Sequence, residues 1–320
     1  AGIEFFGHSD TEVVLKSYIH WGEKCLDRFN GIFAFAVWEE ATQRLFFARA
    51  RMGVKPFFYA LKNDTFIFGS EIKTLLEYPD IEPVIDRKGI VDLLFIGPGR
   101  TPGCGVFRDI HELEPGHCGT FDRNGLRTFS YWKLKDRLHT ETFEETSDHV
   151  RYLVTDAIRR QLVSDVPLGT FLSGGLDSSI ISAVAASHFR SLGHQLDTFS
   201  VTYTDNQKYF KTSKFQPTTD EPYIQMMAEF LGSNHHTFVV DNEQLALALK
   251  AAVDARDLPG MADVDSSLLL FCEEIKKHVT VALSGECADE IFGGYPWYRD
   301  EKIRSAYGFP WAQAAAMRQK

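Results

Sequence analysis

Residues 171–180, Phe-Leu-Ser-Gly-Gly-Leu-Asp-Ser-Ser-Ile, constrain the fold of this chain more than any other stretch. An apolar run ends in Ser173-Gly174-Gly175 and is followed by an acid, two hydroxyls and an apolar helical pattern. This order predicts a buried strand, a glycine turn and the N-terminus of a helix. Backbone N–H groups in such a turn face inward, at the positive end of the helix dipole, and both effects favour an anion. We therefore predict a phosphate-binding loop.

The residue types around the two glycines indicate which class of phosphate-binding loop this is. It differs from the Walker loop because no Gly-Lys-Ser/Thr sequence follows. Ser173, Ser178 and Ser179 add hydroxyl donors, while Asp177 is suited to hold a divalent cation over bound phosphates. The stretch resembles the pyrophosphate loop of ATP pyrophosphatases, which split ATP between its α- and β-phosphates to adenylate a substrate. The alternative interpretation is a glycine turn that merely follows a core strand.

Composition limits the class of protein and its partners. A length of 320 residues predicts two domains, and 44% hydrophobic with 24% charged residues is typical of a soluble globular protein. Apolar runs stay well short of the ~18 residues that span a bilayer, and no signal-peptide pattern is present. The net charge of −10 argues against nucleic acid as a partner. Five scattered cysteines without metal-ligand spacing fit a reducing compartment, so we expect a cytoplasmic protein that binds no membrane.

The first part of the chain, residues 1–132, has the pattern of antiparallel β-structure. Short apolar and aromatic runs are separated by Asn, Asp and Gly turns, which is typical of hairpins. The polar segment 133–147 is the predicted linker. The predicted strands include 31–38, 44–49, 56–60 and 65–70, and the predicted helices are Asp10–Tyr18, Glu71–Leu76 and Lys88–Phe95.

The second part, residues 148–320, alternates strands with helices, which predicts an α/β domain with a parallel sheet. Ligands of such sheets bind outside the carboxyl ends of the strands. Ser173 and Ser284 each follow a predicted strand, so we expect their loops to face one crevice. The predicted strands are 167–173, 196–203, 235–240 and 279–285, and the predicted helices are 148–163, 178–189, 221–232, 242–254 and 266–277.

A second concentrated motif runs from Val281 to Tyr295, Val-Ala-Leu-Ser-Gly-Glu-Cys-Ala-Asp-Glu-Ile-Phe-Gly-Gly-Tyr. It places Glu286, Asp289 and Glu290 within five residues at the exit of a buried strand. Such acids are costly there unless cations or substrate groups pair with them. The alternative is an acidic helix start that only complements the helix dipole. The presence of Ser173–Ser179 in the same chain favours a functional interpretation.

With both motifs, the chain resembles the glutamine-dependent asparagine synthetases of the bacterial type through essentially all 320 residues. Ser173–Ser179 matches the ATP loop of that family without a change, and Ser284-Gly285-Glu286 with Asp289–Tyr295 matches its second signature. Cys287-Ala288 stands where many members have Gly-Ser. The implied fold is an α+β class II glutamine amidotransferase domain of the N-terminal nucleophile type, joined to an α/β ATP-pyrophosphatase domain. The domains would be 1–132 and 148–320.

The first part carries its own resemblance to class II glutamine amidotransferases. The matching segments are Ser9–Glu12, Phe29–Phe35, Gly53–Pro56 and Gly69–Lys73. Asp10 resembles the acid that binds the α-amino group of glutamine. Ala50 occupies a position where the family usually has Asp between two arginines, which puts an ion pair with that side chain in doubt.

The resemblance implies a reaction in which the carboxylate of L-aspartate attacks the α-phosphate of ATP, and ammonia from glutamine then displaces AMP. The cofactors would be ATP and Mg²⁺, and the substrates L-aspartate with L-glutamine or ammonia. A homodimer is the expected assembly. Glu286 would be catalytic. The nucleotide would be bound by Leu172, Ser173, Gly174, Gly175, Asp177, Ser178, Val201, Ser284 and Gly285, the metal by Asp177 and Asp289, and glutamine by Asp10.

The amidotransferase chemistry of this family uses an N-terminal Cys whose α-amine serves as the base. The printed chain starts at Ala1 and stops in a helical pattern at Met317–Lys320. On the resemblance we expect an internal fragment that lacks the nucleophile segment and a C-terminal lysine. Such a polypeptide would release no ammonia from glutamine and would make little asparagine from free ammonia.

Other functions stay open on sequence alone. Relatives such as β-lactam synthetases and lasso-peptide cyclases adenylate other carboxylates with the same two loops. Retention of Asp10 favours ammonia delivery, which such cyclases do not use. A nucleotide-binding domain without catalysis is a third possibility. We also expect Asp263, Asp265 and Ser266 to lie in a loop that faces the substrate, and Lys208–Thr219 to form a polar loop beside the nucleotide.

Overall fold

The computed structural model describes residues 2–96, 99–212 and 218–305. The chain divides into two compact units. The first contains the residues up to Leu138 together with Lys250–Ala262, and the second contains His139–Leu249 and the residues from Asp263 onward.

The first unit is built from two antiparallel sheets. One sheet has the order β1-β2-β6-β7 and the other has the order β4-β3-β5. The turns between neighbouring strands are short, as the Asn, Asp and Gly punctuation predicts. The strands are β1 (Ala34–Glu39), β2 (Arg44–Arg49), β3 (Phe58–Lys62), β4 (Thr65–Gly69), β5 (His111–Glu112), β6 (His117–Asp122) and β7 (Gly125–Ser130). The helices are α1 (Asp10–Trp21), α2 (Ile72–Leu76) and α3 (Arg87–Val91).

Alternation along β2 determines how the layers of the first unit pack. Phe47 faces the second sheet, where its ring stacks on Phe57 at 5.2 Å and on Phe66 at 5.0 Å. Phe46 faces the opposite way and stacks on Tyr18 of α1 at 4.9 Å. Successive side chains of a strand point to opposite faces, so one strand serves two apolar layers. The result is a helix–sheet–sheet–helix order, with α2 packed on the outer face of the second sheet.

Arg49, the last residue of β2, joins the two sheets of the first unit. Its side chain is buried, and its guanidinium donates hydrogen bonds to the carbonyl oxygens of Gly53, Lys55 and Leu113, at 2.7, 2.9 and 2.5 Å. It also pairs with buried Glu112 of β5 at 3.0 Å. Burial lowers the pKa of Arg49, and Glu112 opposes that shift. The carboxylate that the sequence lacks beside Arg49 is therefore supplied from another strand.

Residues 250–262, which the sequence assigns to the second domain, group with the first unit. Asp257 accepts hydrogen bonds from the N–H groups of Ile72 (2.6 Å) and Lys73 (3.3 Å), and so caps the start of α2. Its carboxylate also pairs with the Lys73 ammonium group at 3.0 Å. Leu258 is buried in the same apolar cluster as Ile72. These contacts depend on side chains far apart in sequence, so a local pattern does not reveal them.

The second unit has a parallel sheet with the order β10-β9-β8-β11. Strands β8, β9 and β10 follow one another towards one edge, and β11 returns to the other side of β8. The order thus reverses between β8 and β11, which is where open α/β sheets form a ligand crevice. The strands are β8 (Leu168–Phe171), β9 (Asp197–Tyr203), β10 (Asn234–Val240) and β11 (Val281–Leu283). The helices are α4 (Phe143–Gln161), α5 (Leu176–Ser191), α6 (Asn206–Tyr209), α7 (Glu221–Leu231), α8 (Asn242–Arg256, whose end lies in the first unit), α9 (Ala262–Ile275), α10 (Ala288–Phe292) and α11 (Glu301–Arg304).

Two faces of this parallel sheet differ in chemistry. Phe199 and Phe171 pack with Phe271 of α9 in an apolar cluster. On the other face, the ring nitrogens of His235 contact the hydroxyls of Thr198 (2.9 Å) and Ser200 (3.0 Å). Thr198 and Ser200 are both buried. Burial lowers the pKa of His235, and the neighbouring charge of His236 lowers it further.

Acid is expected to destabilise the protein partly through His235. Its pKa in the folded state lies below its ordinary value of 6.5, so the folded state binds this proton less readily than the unfolded state. The stabilisation is complete above pH 6.5 and is lost as the pH falls towards the lowered value. We expect the urea midpoint to fall less between pH 7.5 and 5.5 in His235→Gln than in the wild type. His194→Gln, at an exposed position, is the control, and its urea midpoint should fall as much as that of the wild type. An equal fall of the midpoint in His235→Gln and wild type would contradict the prediction.

Several predicted boundaries differ from the structure. The end of the predicted linker 133–147 is helical, because Thr142 and Glu145 form a capping box that starts α4 at Phe143. Asp263, Asp265 and Ser266 were predicted in a loop, which is wrong: all three lie in α9, with Asp263 and Asp265 in its first turn. The middle of the predicted loop Lys208–Thr219, residues 213–217, and the helical pattern at Met317–Lys320 lie outside the described residues. Among the helices that the structure describes, none combines the length and apolar character needed to cross a membrane.

Candidate active site

A cavity of about 470 Å³ opens where β8 and β11 end, at the reversal of strand order. Ser173 and Ser284, which follow these two strands, both line it. The predicted meeting of the two loops is therefore observed within one unit. Ten of the residues proposed for nucleotide, metal or catalysis line this cavity: Leu172, Ser173, Gly175, Asp177, Ser178, Val201, Ser284, Gly285, Glu286 and Asp289.

The turn after β8 is held by its own serines. Ser178 Oγ lies 2.9 Å from Ser173 Oγ and accepts a hydrogen bond from the Ser173 N–H at 3.2 Å. The hydroxyl of Ser179 donates to the Gly175 carbonyl at 2.7 Å. Gly174 adopts φ +76°, and a Cβ there would lie 2.8 Å from the Cβ of Tyr223. Glycine is needed at this position for both reasons.

The first turn of α5 lies at the cavity and is the element that the sequence predicts to bind an anion. Gly175 is the N-cap and contributes no side chain, so the N-terminus of α5 is open towards a ligand. A helix leaves the N–H groups of its first turn without intrahelical acceptors. Gly285 packs closely on this turn, because a Cβ there would lie 3.0 Å from Asp177 Cβ and 3.1 Å from the Ser178 nitrogen. The two loops are thus close enough to bind one ligand together.

The loop after β11 turns sharply into α10. The Glu286 N–H donates to Ser284 Oγ at 3.2 Å, and the Ala288 N–H donates to the Gly285 carbonyl at 3.3 Å. Cys287 adopts φ +72°, in the left-handed region that glycine prefers. A non-glycine residue in that region costs roughly 1–2 kcal/mol. Cys287 therefore strains the backbone of this turn.

Asp177 and Asp289 are the two carboxylates of the cavity that the sequence predicts as ligands of a divalent cation. Asp177 lies at the start of α5 beside Gly285, and Asp289 lies in the first turn of α10. Gly294 leaves room for the Asp289 carboxylate, because a Cβ there would overlap it. No group of three or more His, Cys, Asp or Glu residues with metal-site geometry occurs in the described ranges. The donor set fits Mg²⁺, which commonly takes one or two protein carboxylates and completes its shell with phosphates and water.

Two predicted site residues lie elsewhere. Gly174 shapes the turn but is not in the cavity wall. Asp10 belongs to the first unit, where it is the first residue of α1. Its carboxylate lies 3.4 Å from the hydroxyl of Thr11. Its role towards glutamine stays a prediction.

The sequence pattern missed part of the cavity wall. Tyr203 closes β9 and its hydroxyl lies 2.7 Å from Ser267 Oγ of α9. Asp220, an exposed residue, precedes α7 on the same wall, and desolvation together with the charge of Glu221 raises its pKa. An Asp immediately before the predicted helix 221–232 is a capping signal, and that signal alone does not indicate a ligand.

The far side of the cavity carries Tyr295, from the end of the second motif. Burial raises the pKa of Tyr295 to about 12, and a hydrogen bond to Glu290 adds to the shift. Its hydroxyl therefore stays protonated at neutral pH. Burial also raises the pKa of Cys287, with Glu290 and Glu286 contributing, so its thiol is less nucleophilic than an ordinary one.

Comparison with known families agrees with this geometry. Residues 149–320, more than half of the chain, match the family described as asparagine synthase. The chain belongs to the asparagine synthase family. Residues 1–132 match a family described as a glutamine amidotransferase domain. Both sequence-based resemblances and the predicted fold class are thus confirmed.

Curated relatives of the asparagine synthase family cover nearly the whole chain. Asparagine synthetase [glutamine-hydrolyzing] 3 of Bacillus subtilis is 53% identical over 320 residues, which is 100% of this chain and 52% of the relative. Asparagine synthetase [glutamine-hydrolyzing] 1 of the same organism is 35% identical over 93% of this chain and 45% of its own length. A putative asparagine synthetase [glutamine-hydrolyzing] 2 of Methanocaldococcus jannaschii is 33% identical over 90% of this chain and 54% of its own length. The chain spans about half the length of these relatives.

Proposed function

We propose that the protein to which this chain belongs converts L-aspartate to L-asparagine at the expense of ATP, through β-aspartyl-AMP, with ammonia from glutamine. The observation that carries the proposal is the meeting of two loops on one cavity. The loop after β8 brings hydroxyls and the N-terminus of α5, and the loop after β11 brings Glu286 and Asp289. Donors for a polyphosphate and carboxylates for a cation are thereby combined at the switch point of the sheet.

The nucleotide is proposed to lie with its phosphates on the turn after β8. Ser173, Gly174, Gly175 and Ser178 would hold the departing pyrophosphate. Leu172 and Val201, at the ends of β8 and β9, would bracket the adenosine together with Ser284 and Gly285. Leu172 is only 1% exposed and still lines the cavity, so this side chain belongs both to the core and to the proposed binding surface.

Asp177 and Asp289 are proposed to hold Mg²⁺ against the phosphates. A bound Mg²⁺ supplies charge neutralisation at the phosphoryl oxygens. Glu286 also lines the cavity. It is proposed to position the reacting groups or to move a proton during adenylation. Ammonia would then attack the acyl carbon and release AMP.

The first unit is proposed to bind glutamine, with Asp10 accepting hydrogen bonds from its α-ammonium group. The match of residues 1–132 to glutamine amidotransferase domains supports this. We propose a cytoplasmic location, a homodimer, and no nucleic-acid partner in view of the net charge of −10. A ligase that adenylates another carboxylate is the second candidate, because the two loops by themselves do not specify the acyl acceptor.

The first test is calorimetric titration with ATP–Mg²⁺. Asp177→Asn is expected to weaken binding about tenfold, which is ~1.4 kcal/mol. The loss should shrink when Mg²⁺ is replaced by EDTA, because the carboxylate acts through the cation. Asp165→Asn, an exposed acid before β8, is the matched control and should bind as the wild type does. Wild-type binding in Asp177→Asn, or no binding of ATP–Mg²⁺ by the wild type, would contradict the proposed site.

The second test separates aspartate from other acyl acceptors. Pyrophosphate release should depend on L-aspartate in the full-length protein translated from the open reading frame that encodes this chain. Release that proceeds equally well with carboxylates unrelated to aspartate would favour the second candidate instead.

A further inference from the structure

Asp289 lies on a helix that has little support of its own. Helix α10 (Ala288–Phe292) has five residues, and none of these five, all within the described part of the chain, is buried. Ile291 and Phe292 are 70% and 57% exposed. Such a short helix is not stable in isolation, because one turn makes too few hydrogen bonds to offset the cost of ordering it. The position of the Asp289 carboxylate therefore depends on contacts outside α10.

The chain after α10 turns back on the helix. Gly293 ends the helix with φ +65°, and the N–H groups of Gly293 and Gly294 both donate to the carbonyl of Asp289, the second at 3.0 Å. The next residue, Tyr295, lines the cavity, and its ring stacks on Trp297 with 4.3 Å between the ring centroids. This return of the chain places Gly294 next to the side chain of Asp289.

The Asp289 carboxylate occupies the space that a side chain at position 294 would need. A Cβ on Gly294 would overlap Asp289 Oδ1 and would lie 2.8 Å from its Cγ. Backbone conformation does not explain this glycine, because Gly294 lacks the positive φ of Gly293. Gly293 differs in both respects, since its φ favours glycine and a Cβ there would lie 3.6 Å from Tyr298 Cβ, an ordinary contact. Room for the carboxylate is thus the reason for glycine at position 294.

The two carboxylates proposed for the cation are held in different ways. Asp177 belongs to α5, a helix of 16 residues, and its Cβ lies against Gly285. The orientation of the Asp289 carboxylate depends on its packing against Gly294. Mg²⁺ requires nearly ideal octahedral geometry, so a ligand held in place binds it more tightly than one that is free to rotate. Altering a group that orients a metal ligand commonly lowers metal affinity about 10–100-fold.

We propose that Gly294 is a positioning residue of the cation site, which leaves room for the Asp289 carboxylate and so holds it in the orientation that binds Mg²⁺ together with Asp177. The inference rests on the proposed function, which places the cation at these two carboxylates. Gly294→Ala would push the carboxylate aside, because the end of a side chain moves more easily than the backbone. The turn after β8 belongs to a different loop, so affinity for ATP without Mg²⁺ should not change.

The first test measures ATP binding by calorimetry over a series of Mg²⁺ concentrations, in the full-length protein translated from the open reading frame that encodes this chain. Gly294→Ala is expected to need at least about tenfold more Mg²⁺ for half of the gain in ATP affinity. Its affinity for ATP in EDTA should equal that of the wild type. Gly293→Ala is the matched control, because it strains the same turn but leaves room for the carboxylate, and it should keep the wild-type Mg²⁺ dependence.

The second test measures stability and needs no bound ligand. Gly294→Ala should destabilise the second unit in the wild-type background but not in an Asp289→Ala background, where the carboxylate is missing. Hydrogen exchange of the amides in β8 and β11 reports on this unit. The comparison in the Asp289→Ala background decides the matter even if Gly294→Ala alone does not fold. An equal loss of protection in both backgrounds, or no loss in either, would overturn the inference.

Other outcomes would also overturn the inference. Gly294→Ala with the Mg²⁺ dependence of the wild type would do so, and an equal shift in Gly293→Ala would assign the effect to backbone strain. Weaker binding of ATP to Gly294→Ala in EDTA would assign Gly294 to the nucleotide instead of the cation. ATP binding by the wild type that ignores Mg²⁺ would overturn the proposed cation site itself, and the inference with it, whereas the other outcomes leave that site in place.

Discussion

Replacing Glu286 with Gln is expected to lower the rate of aspartate-dependent pyrophosphate formation at least ~100-fold, as loss of a group that moves a proton commonly does. Binding of ATP–Mg²⁺ should change little, because Gln has nearly the same shape and Asp177 and Asp289 remain. The backbone of Glu286 is fixed by the bond of its N–H to Ser284 Oγ, so the substitution removes the carboxylate without moving the loop. The measurement is steady-state pyrophosphate release by the full-length protein, combined with calorimetry.

Glu290→Gln is the matched control for Glu286→Gln. Glu290 lies in the same acidic segment, but it interacts with Tyr295 and does not line the cavity. A smaller loss of rate in Glu290→Gln would separate a specific role of Glu286 from the general negative charge of the loop. Equal losses in the two variants, or a loss in Glu286→Gln that appears only as weaker ATP binding, would contradict the proposed role.

The second large effect is expected on stability. Arg49→Ala should reduce the free energy of unfolding of the first unit by about 3–5 kcal/mol, the usual result of removing one partner of a buried ion pair. Three carbonyl oxygens would lose the guanidinium donor, and Glu112 would stay buried with Arg100, at 3.3 Å, as its remaining ion-pair partner in the described part of the chain. Hydrogen exchange of the amides in β2 and β6 reports on this unit directly, since both strands belong to its first sheet.

Arg108→Ala provides the comparison, because Arg108 pairs with Glu82 at 2.8 Å on the surface. Exposed pairs contribute roughly 0–1 kcal/mol, so exchange in this variant should stay close to that of the wild type. The double variant Arg49→Met with Glu112→Leu should recover part of the stability lost in Arg49→Ala, since it leaves no unpaired buried charge. If Arg49→Ala were no more harmful than Arg108→Ala, the link between the two sheets would be of little importance.

Local sequence patterns were sufficient where an element is fixed by its own residues. The strand predicted at 44–49 coincides with β2, because a polar turn precedes it and its alternation serves two apolar layers. Helix α9 begins four residues before the predicted start at 266. Its first turn contains Asp263 and Asp265, which resemble a loop in composition but are favoured at a helix N-terminus.

The candidate site was predictable to the extent that topology brings loops together. Strands that alternate with helices predict a parallel sheet, and a parallel sheet places the residues after Ser173 and Ser284 at one edge. The Arg49–Glu112 pair was beyond reach of such patterns. Its significance depends on hydrogen bonds made between residues far apart in sequence, and a sequence motif does not record these.

The lengths of the short strands β8 and β11 determine where the two loops of the candidate site lie. They have only four and three residues, and they pair in register from Val281 with Leu168 to Leu283 with Thr170. One residue inserted into either strand would advance its loop by about 3.3 Å and turn every later side chain to the opposite face. Ser173 and Ser284 would then no longer meet on one cavity. We therefore expect these two strands to tolerate no change in length, in contrast to the longer connections of the second unit.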